Sequence, residues 1–337
     1  MNNFTLLDFP LEKVKFQTLM RNEDHFAEIR ATSPDPGTPA KILDGYGEVQ
    51  FPPAPEDRPY TFASIVVSVD GKISFPDDTH GDLIAGNNFR DPDGGLGDYW
   101  VLNILRFYSD GIIIGARTLI DNEVMNANCF DPELADLRIP YLKKKHYCPA
   151  HILVSFDGTD IPLNHSVFDI DAPLAIATSP NGVDYVQKNS EKEFIVLGPY
   201  KNKEEVNIEE LKDLFEAKPK QRLLIGTGEG STTDGPLLLY ILKQLGMERL
   251  LIESPSYMTY LMSIASMDEM FMNYSSVFAA GKIGFGAFLD FGVNDHPHSD
   301  FIQIGLHSVN FIATRQKMIY GLKNANAIHM ITGKAIK

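Results

Sequence analysis

The chain predicts an α/β fold built on a largely parallel sheet, and three observations carry that expectation. From Tyr60 onward short β-rich runs alternate with helical ones. Runs such as Ile112-Ile113-Ile114 and Leu250-Leu251-Ile252 are apolar at consecutive positions, as strands are when helices cover both faces of a sheet. Turns rich in glycine or serine follow several of these runs. Strands are expected near 61–67, 110–114, 151–155, 173–177, 193–197, 221–225, 249–253 and 268–278, and helices near 97–108, 117–122, 207–216, 235–245 and 256–265. The final apolar segments, Phe301 to Ile312 and Lys317 to Tyr320, leave no room for crossover helices and predict an antiparallel hairpin at the sheet edge.

Residues 1–58 read differently. A charged, helix-compatible opening from Leu11 to Arg30 is followed by Thr32-Ser33-Pro34-Asp35-Pro36-Gly37-Thr38-Pro39 and by Pro52-Pro53-Ala54-Pro55. Prolines at that density break helices and sheet ladders alike, so the segment is expected to be an arm and linker laid over a single main domain, 59–337.

With 337 residues, 44% of them hydrophobic, the chain can bury a sizeable core. A formal charge of −15 argues against a nucleic-acid footprint, and the basic run Lys143-Lys144-Lys145 reads as a solvated face. No basic-apolar-small progression opens the sequence and no apolar stretch is long enough to span a bilayer, so a cytoplasmic protein without membrane partners is expected. Cys129 and Cys148 show no metal or redox spacing and read as free thiols. The loop clusters Asp295-His296-Pro297-His298 and Asp77-Asp78-Thr79-His80 are poor metal sites, and no metal is expected.

In such sheets ligands collect outside the carboxyl ends of the strands, where glycine lets the backbone approach phosphate and helix N-termini offer unpaired N–H donors. Four turns qualify: Ser68 to Ser74, Gly115 to Thr118, Gly226 to Ser231, and Glu253 to Ser256. Each alone is an ordinary turn or cap; Asp70-Gly71 is a common reverse-turn pair, and Ser254 before Pro255 is a ready helix start. Gly226-Thr227-Gly228-Glu229-Gly230-Ser231 lacks the last glycine of a dinucleotide fingerprint and comes late in the chain, so a generic Rossmann dehydrogenase is the weakest reading.

The joint order is more specific. Ser68-Val69-Asp70-Gly71-Lys72-Ile73-Ser74, then Arg106-Phe107-Tyr108-Ser109-Asp110-Gly111 running without a gap into Gly115-Ala116-Arg117-Thr118, then Asp234 to Gly246 and Leu251-Ile252-Glu253-Ser254-Pro255-Ser256, resembles the reductase domain of the riboflavin-biosynthesis deaminase-reductases, a relative of dihydrofolate reductase. The resemblance covers about Tyr60 to Ile283, and the zinc-deaminase motif of the bifunctional enzymes is absent.

The resemblance implies a dihydrofolate-reductase-like mixed, mostly parallel sheet flanked by helices and a stand-alone, homodimeric, NADPH-dependent reductase. Its substrate would be 5-amino-6-(5-phosphoribosylamino)uracil or a related ribosylaminopyrimidine. On that likeness Lys72 and Glu253 match catalytic positions, Asp70, Arg106 and Glu253 match substrate positions, and Val66, Gly115, Ala116, Arg117, Thr118, Asn122, Ser254, Pro255 and Ser256 match the cofactor site. Arg117 stands where the family has glycine, and Ser254-Pro255 stands where it has two glycines, which removes a backbone N–H. Those replacements keep a second reading open, a non-catalytic member that binds a nucleotide or pterin-like ligand.

Overall fold

The computed structural model describes every residue except 1–3, 124–125, 213, 218–221, 323–327, 330–333 and 336–337. Positions 213 and 221, inside an expected helix and an expected strand, lie outside the described residues. The strands of the main sheet are β1 (Gln17–Arg21), β2 (Tyr60–Ser68), β3 (Gly111–Gly115), β4 (Ala150–Val154), β5 (Leu174–Thr178), β6 (Ile195–Tyr200), β7 (Arg222–Thr227), β8 (Arg249–Ile252), β9 (Glu269–Ser275), β10 (His298–Ser308) and β11 (Phe311–Ile319). They form one 11-stranded sheet in the order β1-β10-β11-β9-β2-β8-β3-β4-β5-β7-β6. From β9 to β6 every pairing is parallel, and β11, β10 and β1 add antiparallel strands on one side.

The consecutive apolar residues of the central strands divide between two cores, one on each face, because side chains alternate with a period of two. Phe62 and Val66 of β2, Ile112 and Ile114 of β3 and Leu251 of β8 join Trp100, Ile104 and Leu105 of the helix Gly94–Tyr108. Ala63, Ile65, Val67, Ile113, Leu250 and Ile252 point the other way, onto the helices Gly235–Gln244 and Pro255–Ser263. Trp100 is core, fully buried and 5.3 Å from Phe9 between ring centroids. Cys129 and Cys148 are free and buried. Among the described residues no helix is long and apolar enough to cross a membrane.

Three expectations need correction. The segment ahead of Tyr60 contributes β1, which pairs with β10, together with the helix Glu23–Thr32, whose Phe26 and Ile29 are buried. The C-terminal hairpin is present, Phe311 of β11 pairing with Ser275 of β9, but it is not the sheet edge, because β1 covers β10. The expected helix near 207–216 is two short turns, Ile208–Leu211 and Leu214–Ala217.

The helix Pro180–Asn189 shows how tightly the β5 to β6 crossover is built. Ser179 caps it by accepting from the Gly182 N–H, and Pro180 occupies its first turn. A Cβ on Gly182 would sit 1.9 Å from Thr178 Oγ1 and 2.9 Å from the Asp157 backbone carbon. Gly182→Ala is therefore expected to destabilise the protein by about 1–3 kcal/mol through overpacking against backbone, read as a lowered urea midpoint at unchanged slope.

Candidate active site

β8 lies between β2 and β3 although it is laid down last of the three, so the chain runs away from β3 to one side and returns to the centre before crossing to β9. Sheets that change direction in this way open a crevice at the carboxyl ends of the strands around the switch. Here that crevice is a cleft of about 1200 Å³, reached by the ends of β2, β3, β4, β5, β7 and β8. Gly115 ends β3 and Glu253 follows β8, and the two strands pair in parallel, with the Glu253 N–H donating to the Ile113 carbonyl at 2.8 Å.

The expected cofactor residues meet in this cleft. Val66, Gly115, Ala116, Arg117, Thr118, Asn122, Ser254, Pro255 and Ser256 all line it. Gly115 permits the approach of the two turns, since a Cβ there would lie 2.9 Å from Ser254 Oγ. Pro255 opens the helix Pro255–Ser263, and Ser254 does not cap that helix with its side chain but contacts Ser256, Oγ to Oγ, at 3.2 Å. The first N–H groups of the helix are thereby left for another acceptor. The Tyr257 hydroxyl of the same turn is buried with no partner among the described residues, and burial raises its pKa. Arg117 is on the rim, its side chain 72% exposed, and Nε donates to Asp121 Oδ2 at 2.9 Å. Asn122 donates to the Thr118 carbonyl at 2.8 Å.

Arg106 and Glu253 are both in the cleft and hold each other. Nε and Nη2 of Arg106 reach the two carboxylate oxygens at 2.7 Å each, and Nη1 donates to the carbonyls of Asn126 and Asn128 at 3.3 and 3.5 Å. The guanidinium carbon lies 4.7 Å from the Phe130 ring centroid. Burial opposes its charge, but the carboxylate beside it outweighs that and raises the Arg106 pKa above its ordinary value. A bidentate pair of this kind leaves neither partner free for a phosphate or a heterocycle unless it opens.

Lys72 and Asp70 fall elsewhere. Gly71 takes a left-handed conformation at φ 74°, and Lys72 then bridges to Gly284. Ile73 and Ser74 line the cleft, whereas Lys72 does not. Asp70 braces the turn, accepting from the Ser68 hydroxyl at 2.6 Å and from the N–H groups of Ala279 and Ala280 at 3.1 and 2.8 Å. The Ser68 bond, with those backbone bonds, lowers its pKa. The turn from Gly226 to Ser231 closes on itself through a bridge of Glu229 to Thr232, and a Cβ on Gly228 would meet the Thr232 carbonyl oxygen at 2.1 Å, so its backbone does not spread to cradle a phosphate.

Asp98 and Lys282 also line the cleft and are not marked by any motif. The signal for Asp98 is its spacing: Asp98, Leu102 and Arg106 stand on one row of the helix Gly94–Tyr108, and all three line the cleft.

No family model matches the chain, and no curated protein sequence matches it. Solved structures do. A pyrimidine reductase-like protein from Corynebacterium diphtheriae shares 14% identity at a TM-score of 0.53, over 79% of this chain and 94% of that one. The Thermotoga maritima diaminohydroxyphosphoribosylaminopyrimidine deaminase/5-amino-6-(5-phosphoribosylamino)uracil reductase shares 13% at 0.50, over 78% of this chain and 57% of that one. RibD of Acinetobacter baumannii shares 14% at 0.50, over 78% and 59%. The chain thus spans less than three fifths of the Thermotoga and Acinetobacter proteins. At these identities the likeness is one of fold. The chain has the mixed, mostly parallel fold of these solved structures, the dihydrofolate-reductase-like fold its sequence resemblance implies.

Proposed function

We propose that the chain is an NADPH-dependent reductase acting on a ribosylaminopyrimidine, with cofactor and substrate side by side in the cleft over β2, β8 and β3. The observation that carries this reading is the convergence of turns far apart in sequence, Gly115 to Thr118 and Glu253 to Ser256, at the switch point of the sheet. A cleft of about 1200 Å³ exceeds the roughly 300–1,000 Å³ usual for one small ligand and has room for two.

The residues fit a dinucleotide. Uncapped N–H groups at the start of the helix Pro255–Ser263 offer donors to phosphate, Gly115 and Ala116 allow close backbone approach, and Arg117 supplies a cation at the rim. Bound there, the nicotinamide supplies hydride for a substrate carbon. The chain's own part is to exclude water with the apolar floor, Val66 and Leu102 among it, and to fix the heterocycle once the Arg106–Glu253 pair opens to it. The second reading, binding without turnover, is favoured by Pro255, which withholds one N–H, and by the mutual saturation of Arg106 and Glu253.

Titration of the protein with NADPH and NADH, followed by nicotinamide fluorescence, tests the cofactor assignment. NADPH is expected to bind more tightly, because its 2′-phosphate adds charge that Arg117 can pair. Arg117→Gly is expected to weaken NADPH by about tenfold and NADH hardly at all, the gain being held to that size by the exposure of the guanidinium. Equal loss of both cofactors would remove the phosphate role from Arg117.

A further inference from the structure

A phosphorylated ribosylaminopyrimidine brings a dianion of its own into the cleft, besides the phosphates of a dinucleotide. Most of the cleft's positive charge is already spent. Among the described residues its potentially cationic side chains are His80, Arg106, Arg117 and Lys282. Asp78 holds His80 at 2.6 Å, Glu253 holds Arg106 through both carboxylate oxygens, and Asp121 holds Arg117 at 2.9 Å. Lys282 makes no ion pair or side-chain hydrogen bond among the described residues.

The backbone fixes where that free charge stands. Beyond the ends of β2 and β9 the chain forms a short two-stranded ribbon: the Ile73 N–H donates to the Ile283 carbonyl at 3.2 Å, the Phe285 N–H donates to the Gly71 carbonyl at 3.4 Å, and Lys72 faces Gly284 between them. Both sides of the ribbon are tied down. Asp70 accepts from the N–H groups of Ala279 and Ala280, and Gly281, left-handed at φ 74°, packs so closely that a Cβ would lie 2.7 Å from Pro76 Cγ. The next antiparallel pair outward in this register is Ser74 and Lys282, and both line the cleft. Ser74 adds a donor. It is only 3% exposed, and its hydroxyl is buried with no hydrogen-bond partner among the described residues. A buried hydroxyl left unpaired costs stability, and a ligand that accepts from it removes that cost.

Resting on the reading of this cleft as a pyrimidine reductase site, we propose that Ser74 and Lys282 form the subsite for the substrate's 5′-phosphate, a phosphate monoester dianion. The ammonium supplies charge and the hydroxyl donates to one phosphate oxygen. Sheet order gives this subsite to the substrate: the ribbon rises from β2 and β9, whereas the turns assigned to the cofactor follow β3 and β8, and the cleft continues from them toward β4, β5 and β7 on the far side. Arg106 does not serve the phosphate, because Nε and Nη2 go to Glu253 and Nη1 goes to the carbonyls of Asn126 and Asn128.

Calorimetric titration of the whole protein with 6-ribitylaminouracil and with its 5′-phosphate, at about pH 8 where the phosphate is a dianion, tests the assignment. The phosphorylated compound is expected to bind about tenfold more tightly, the exposure of the ammonium holding the gain to that size. Lys282→Met should remove most of this margin and Ser74→Ala about threefold of it, while both leave the affinities for the unphosphorylated compound and for NADPH unchanged. A margin that survives both substitutions, or no margin in the wild type, overturns the subsite while the pyrimidine site stands. Loss of NADPH affinity in step with loss of the margin gives Ser74 and Lys282 to a cofactor phosphate and overturns it equally. Failure of the wild-type protein to bind either pyrimidine overturns the pyrimidine site itself and the subsite with it. Lys282 is exposed, so its variant decides the matter alone should Ser74→Ala fold poorly.

Discussion

Replacing Arg106 with alanine is expected to destabilise the protein by about 3–5 kcal/mol and to abolish ligand binding in the cleft. The magnitude follows from what the substitution leaves behind. The side chains of Arg106 and Glu253 are only 4% and 11% exposed, and both carboxylate oxygens are paired to one guanidinium. Removing the cation strands a carboxylate away from water, and the carbonyls of Asn126 and Asn128 lose a shared donor. Arg106→Lys should recover part of the stability but not the planar bidentate geometry. Urea unfolding of the unliganded protein reads the effect. A loss of less than about 0.5 kcal/mol, the range of an ordinary surface change, would show that the pair is not held as described.

Arg315→Met is expected to cost a similar amount, about 3–5 kcal/mol, with no direct effect on the cleft. Arg315 and Glu269 are fully buried where β11 meets β9, with Nε to Oε2 at 2.7 Å and Nη2 to Oε1 at 3.0 Å. The Tyr60 hydroxyl adds a third bond to Glu269 at 2.8 Å, and Phe51, Phe271 and Phe26 lie 5.1, 5.4 and 5.7 Å from the guanidinium carbon. Such a pair resists loss of one member far more than loss of both. Arg315→Met combined with Glu269→Met and Tyr60→Phe is therefore expected to return most of the stability, since apolar replacements of similar volume remove the desolvation cost on both sides. A triple variant less stable than the single one would mean that the pair itself drives the hairpin onto the sheet.

The parts of this fold that sequence makes legible are those where one local rule suffices. Ile112 to Ile114 and Leu250 to Ile252 announce strands buried on both faces, and Gly115 announces the close turn, since a Cβ there would press on the Ser254 hydroxyl. β1 is not legible: Gln17-Thr18-Leu19-Met20-Arg21 is half exposed, and its pairing depends on β10, far along the chain. The helix Pro180–Asn189 carries its start signal in Ser179-Pro180, but its Asn181, Asp184, Gln187, Lys188 and Asn189 obscure the apolar stripe formed by Val183 and Val186. In the cleft, the turns Gly115 to Thr118 and Glu253 to Ser256 are readable from their order, whereas nothing in the local sequence announces that the backbone of Lys72, after the left-handed Gly71, bridges to Gly284. Asp98 was missed because a lone acid in an apolar helix has no motif; only the row it shares with Arg106 marks it.

Single-turnover oxidation of NADPH tests most directly whether this cleft reduces a ribosylaminopyrimidine with NADPH. Protein in excess would be mixed with NADPH and either 5-amino-6-(5-phosphoribosylamino)uracil or its 2-amino-4-oxo counterpart, and nicotinamide absorbance followed alongside chromatography of the pyrimidine. Stoichiometric loss of NADPH with appearance of the ribitylamino product is expected, abolished by Arg106→Met. Tight binding of NADPH with no oxidation in the presence of either pyrimidine would contradict it and leave a binding protein built on a reductase fold.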